Sequence, residues 1–509
     1  MKHKIYYLAR TKTYDIRLTS RIFYLLFFVC INSFSVLIAQ EEVRCFEPSR
    51  LVVEHEGLEE RAKLICTNSC KAAKQHYSGK YYRALKEKYE ARERHFLSML
   101  EAGDLIIDGE LYDYVQSLVD LVVNSLQINE KRKLYLVRDD SPNAFNIGDD
   151  QLYIHLGLIY RVENEDQLVF VIAHELGHNE LNHYDSTITR YADLVTNDSI
   201  QRRIKAIKYQ EYRTVSTLNE IMLPWLLSSK EKSRLQEREA DDYGFNVLEK
   251  CGYSPWRATG LFDIFENSLK ERDTTALDLV NLLNLEQTGL DFSEALDTVV
   301  ESSLGIFKEE KDTLEDLLRT HPHNEERKAA FLERISEIPK TNEDKNEERF
   351  LKYRSLAEGE LIVNALYKGN LDRAIFYSLR LYEREPENLF VRKTIPFSFA
   401  YLGYEKKKRR AGKRIANQSP YYDSLYNYML YFLREISPDQ CFSIAQVWNK
   451  NHPDLTNLDL ANASMIMMDV YNERYDDFWI RYHIERERSR NYYVMLIINQ
   501  IKDEEYIKK

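Results

Sequence analysis

The chain holds 16 glycines and 11 prolines in 509 residues, about one position in twenty where roughly one in eight is ordinary. Tight turns depend on these two residues, and an all-β sandwich or barrel needs a turn every ~8–12 residues. The scarcity therefore excludes most β architectures. Hydrophobic residues make up 44 %, too many for wholesale disorder. The expectation is a large, mainly α protein of two or three domains.

The first forty residues read as an address. Lys2, Lys4, Arg10, Lys12, Arg17 and Arg21 face a lone Asp15, and an uncharged run follows from Ile22 to Gln40. A basic start, a short apolar stretch and a small residue at its end describe a secretory signal, here cleaved after Ala39. Asn32, Ser33 and Ser35 interrupt the run, which weighs against the alternative of an uncleaved anchor. The expected location is periplasmic or secreted, and peripheral contact with a membrane is compatible with it. Removing residues 1–39 takes the net charge from −11 to −16, since six basic and one acidic side chain leave with it. A surface this acidic excludes nucleic acid as a partner. Cys66 and Cys70 sit on a helical pattern, with Cys45 a candidate disulfide partner and buried free thiols the alternative.

Residues 40–104 read as an N-terminal helical extension, with one long charged helix over 55–102, and residues 109–127 as a second helix with a Val/Leu stripe. The period then changes. KLYLVRD (133–139) predicts a strand, and NAFNIG (143–148) and QLYIHLGL (151–158) flank Gly148-Asp149-Asp150 as a hairpin. A helix starts at Asn164, where Asn164 and Gln167 have capping-box spacing. The polar stretch 339–348 is the expected linker after a domain spanning 105–338. Beyond it, over 349–509, Gly369 and Gly403 stand 34 apart, as do Pro386 and Pro420, with Pro453 following. That is the period of tetratricopeptide-like helical repeats.

The chemistry concentrates in His174-Glu175-Leu176-Gly177-His178. Residues i and i+4 share a helix face, so His174 and His178 offer two imidazoles to one metal ion, and Glu175 can reach a water bound there. Two ligands from one turn leave open coordination positions, as catalysis requires. A third ligand is needed. Glu237 and Asp241 are again i and i+4, and such a pair supplies one carboxylate to the metal and one to a ligating histidine. Glu239 is the rival. His155 is expected on an edge strand, where it could face the cleft, and His183, off the face of His178, on the surface.

In order, NAFNIGDDQLYIHLGLI, HELGH, SRLQEREADDYG, GYSP and THPHNEER resemble the zinc metallopeptidases that include HtpX, BepA and the CAAX prenyl endopeptidases. The resemblance covers about residues 105–335, and the repeat-like tail makes the soluble BepA-type architecture the best match. It implies a zincin-type helical domain with a small edge sheet, and one zinc per chain on His174, His178 and Glu237. Glu175 would be the general base and Asp241 the ligand's partner. It also places His321 and Arg327 near the cleft, with His321 as a fourth ligand, gate or oxyanion group. Two departures stand out: residues 268–319 look like an insertion, and the first ~60 mature residues match nothing in that pattern.

The function expected is zinc-dependent cleavage of extended or misfolded polypeptide in the cell envelope, as protein quality control. Leu152, Tyr153, Ile154 and His155 would form the substrate-binding edge strand, and the repeats would dock an envelope partner. The alternative is a repeat-based chaperone or assembly adaptor with a latent peptidase site.

Overall fold

The computed structural model describes residues 56–128, 132–148, 151–207, 214–267, 275–296, 324–340, 346–419, 422–455, 459–488 and 492–506. Residues 1–39, Cys45, His321 and Pro420 lie outside them, and so do the expectations attached to those positions. The described residues are mainly helical, with one four-stranded sheet. Among them, no helix is long and apolar enough to cross a membrane.

The charged stretch expected as one helix is two, Glu56–His76 and Gly79–Glu101, packed against each other. The break falls at Gly79, whose φ of +60° suits glycine. Cys66 and Cys70 are free thiols. This helical pair gives the N-terminal extension a task. Leu58, Phe96, Met99 and Leu100 pack on Tyr135, Val137 and Tyr153 from one face of the sheet. The alternate residues Leu134, Leu136, Leu152 and Ile154 point the other way into the main core, against helix Glu110–Ser125 and helix Glu165–Glu180. Period-two alternation thus buries the sheet on both faces.

The strands are β1 (Leu105–Ile106), β2 (Lys133–Val137), β3 (Ala144–Phe145) and β4 (Gln151–His155), in the order β1-β2-β4-β3. β3 and β4 form the expected antiparallel hairpin, and Gly148 takes a φ of +69° in its turn. The expectation for Leu152, Tyr153, Ile154 and His155 is corrected. β4 is not an edge strand: β2 pairs with it in parallel along its whole length and β3 covers its other side. Every residue of β4 is buried. The outer strand is β3. β4 also ends at His155, where helix Leu156–Arg161 begins.

Helix Glu165–Glu180 is held hard at its start. Asn164 accepts from the Gln167 N–H, while the Gln167 side chain accepts from Glu163 rather than closing the box on Asn164. Glu165 accepts hydrogen bonds from Tyr114 (2.7 Å), Tyr253 (2.7 Å) and Asn346 (2.9 Å). Asp166 accepts from the Ser254 N–H and the Arg257 Nε (2.6 and 2.9 Å). Two carboxylates at a helix N-terminus also favour its dipole.

The C-terminal helices run from Glu347–Lys368 to Tyr492–Tyr506. They share one continuous hydrophobic core with the sheet region. Tyr114 stacks on Tyr353 with centroids 3.9 Å apart, and Arg138 pairs with Glu360 where both side chains are 2 % exposed. Gly369 and Gly403 are not equivalent positions. Gly369 caps a helix in the left-handed region, whereas Gly403 lies inside helix Leu389–Lys407 against Phe442. Residues 275–296, in the expected insertion, lie on these helices. Leu277, Leu283, Leu285 and Phe292 are buried there. Arg380 and Gln440 donate to the carbonyls of Thr275 and Asp291, and Asn451 donates to Gln287 at 3.0 Å.

Candidate metal centre

Helix Glu165–Glu180 carries His174, Glu175 and His178, and the long helix Thr214–Cys251 carries Glu237 and Asp241. Two glycines let these helices approach. A Cβ on Gly177 would fall 2.9 Å from the Tyr243 Cβ, and one on Gly244 would fall 2.9 Å from the Phe170 ring. Both separations are below van der Waals contact, so larger residues would force the helices apart.

The close approach brings three donors together. His174 Nε2 and His178 Nε2 are 3.0 Å apart. Glu237 reaches them with Oε2 3.6 Å from His174 and Oε1 3.5 Å from His178. All three donor atoms lie within 4.8 Å of one another. Two imidazoles and a carboxylate are a donor set suited to zinc with an open position. Acidic groups collect at the same place: Glu175, Glu237 and Asp241 gather around the guanidinium of Arg327.

Behind His174, Asp241 Oδ1 lies 3.0 Å from Nδ1. Arg327, from helix Asn324–Ile335, grips Asp241 with two bonds of 2.8 and 2.6 Å and approaches Glu237 at 3.4 Å. Burial opposes the ionised Asp241, but Arg327 and His174 outweigh it and hold the carboxyl below its usual range. Burial likewise opposes a charged His174, yet Asp241 and Glu237 raise its pKa to about 9. Carboxylates therefore face both ring nitrogens of His174, Glu237 at Nε2 and Asp241 at Nδ1.

Behind His178 the arrangement differs. Its Nδ1 lies 2.8 Å from His183 Nδ1, and His183 Nε2 lies 3.1 Å from Glu239 Oε2. His183 is therefore not on the surface, as expected from the sequence; it is 7 % exposed. The helix stops at Glu180, and Asn182 takes the left-handed conformation, φ +55°, before the next helix starts at His183. Helical spacing no longer applies past the turn. Asparagine tolerates that conformation, and it was the available signal. Glu239, the rival ligand, points at His183.

A cavity of about 220 Å³ opens beside the three donors. Glu175 lines it with His174, Glu237 and Arg327. Asn143 and Ala144 border it where β3 begins, and Val171, Leu261 and Phe265 give it apolar walls. His155, whose approach to the cleft was expected, instead turns to Ser141 (2.9 Å) and Asp139 (3.3 Å). There it holds the loop leading to β3, and this pairing, with the Ser141 bonds, keeps the Asp139 carboxyl well below the usual range.

Comparison with known proteins agrees with this geometry. Residues 111–335 match Peptidase family M48. The chain is 25 % identical over 175 residues to the beta-barrel assembly-enhancing protease of Yersinia pestis, covering 31 % of this chain and 33 % of that protein. It is 26 % identical over 158 residues to the protease of that name from Escherichia coli strain K12, covering 30 % and 32 %. The matches span about a third of the length of these curated relatives.

Proposed function

We propose that this chain, whose residues 111–335 match Peptidase family M48, is a zinc-dependent endopeptidase acting on extended or misfolded polypeptide in the cell envelope. The observation that carries the reading is the convergence of His174, His178 and Glu237 on one point, with Glu175 in the adjoining cavity. Zinc held by these three residues would polarise the scissile carbonyl and make a water more acidic. Glu175 takes the proton of the attacking water and delivers it to the leaving amine. Asp241, braced by Arg327, fixes the His174 ring with Nε2 facing the centre.

β3 replaces β4 as the substrate-binding edge. It is the outermost strand on the cavity side, so an extended segment can add to it through main-chain hydrogen bonds. Val171, Leu261 and Phe265 then receive an apolar side chain. Such segments are exposed in unfolded proteins, which supports a quality-control role. Export and an envelope partner on the C-terminal helices belong to the same proposal. The face occupied by residues 275–296 is already filled by the chain itself, so a partner meets the helices elsewhere.

The test is Glu175→Gln. The variant should keep its zinc and lose at least 100-fold in cleavage of a denatured protein. Cleavage at the wild-type rate would remove Glu175 from this role. A chain that binds unfolded protein and never cleaves it would favour the adaptor alternative.

A further inference from the structure

We infer that His183 and Glu239 form a positioning relay that sets the tautomer and ring orientation of His178. The inference rests on the zinc reading above and adds two residues to it.

The argument follows the protons. With His178 Nε2 facing the centre 3.0 Å from His174 Nε2, a metal there takes the Nε2 lone pair. The one proton of the neutral ring then sits on Nδ1. That N–H points at His183 Nδ1, 2.8 Å away, which must accept it. His183 therefore carries its own proton on Nε2 and donates it to Glu239 Oε2 at 3.1 Å. One choice at the metal fixes every proton in the chain, and each separation is hydrogen-bond length.

The relay is anchored as well as aligned. The His183 carbonyl accepts from Thr187 at 2.9 Å and from the Gln236 side chain at 3.3 Å. Arg190 in turn donates to Gln236 at 3.1 Å. The helix starting at His183 is thus stapled to the long helix that supplies Glu237. Glu237 and Glu239 leave that helix on different sides, one toward the metal and one toward the relay. A buried imidazole that accepts from one histidine and donates to a carboxylate has no other task in the described structure.

Zinc affinity measured by chelator competition tests the relay on the full-length protein, with circular dichroism to monitor folding. His183→Ala should weaken zinc binding ~10–100-fold, the usual cost of losing such a partner. His183→Asn keeps an acceptor oxygen for His178 and should recover most of the loss. Glu239→Ala removes the acceptor for the His183 Nε2–H and should weaken zinc binding by a smaller factor than His183→Ala does. A folded His183→Ala protein with wild-type affinity overturns the relay, and so does a folded His183→Asn protein as weak as His183→Ala. If the wild type itself takes up no zinc, the metallopeptidase reading fails and the relay fails with it.

Discussion

The two histidines of one helical turn are supported in opposite ways. His174 is backed toward the interior by a carboxylate, itself gripped by a buried arginine. His178 is backed toward the surface by a second imidazole and a glutamate whose side chain is 46 % exposed. The inner flank concentrates charge in low dielectric, where every partner is needed. The outer flank uses a neutral ring and lets water share the last charge. The inner flank should therefore control stability and metal binding together, and the outer flank metal affinity alone.

Arg327→Ala is the harshest way to break this contrast. It leaves Asp241 and Glu237 buried without their cation and should cost about 3–5 kcal/mol in chemical denaturation, along with the zinc. Gly177→Ala comes next. Overpacking against Tyr243 should cost about 1–3 kcal/mol, and zinc affinity should fall as Glu237 moves away from His178. His183→Ala should leave the melting temperature of the zinc-free protein within about 2 °C of wild type while zinc affinity falls. An equal loss of stability from His183→Ala and Arg327→Ala would erase the distinction between the flanks.

The smallest expected effect lies far from the metal. Burial opposes ionisation of Glu504, but Arg410, Gln500 and Tyr404 outweigh it and hold the carboxyl down at about 2, against 4.5 ordinarily. A depressed folded pKa adds stability that is complete above pH 4.5 and is lost as pH falls through about 2. With Glu504 partly open to solvent, the contribution is about 1 kcal/mol. Glu504→Gln should flatten that part of the acid stability profile and leave zinc affinity unchanged.

The HExxH segment was legible because one local period places both histidines on a face. The hairpin was legible because Gly148 marks its turn. The sheet order was not. β4 has the composition of an edge or an interior strand alike, and only the parallel pairing with β2, made across a long separation, decides it. The N-terminal extension showed its charged faces but not the aromatic sheet face that it covers. His183 was missed because helical spacing was carried through Asn182, where the backbone turns. Gly369 and Gly403 share a 34-residue spacing, yet one ends a helix and the other packs within one, because spacing records position and not backbone role.

The central claim is that His174, His178 and Glu237 make one metal centre. Zinc content per chain, measured on purified wild type and on His174→Ala, His178→Ala and Glu237→Ala, tests it most directly. The account predicts about one zinc in the wild type and less than a tenth of that in each variant. A wild type without zinc, or a Glu237→Ala protein that keeps its full complement, would contradict it.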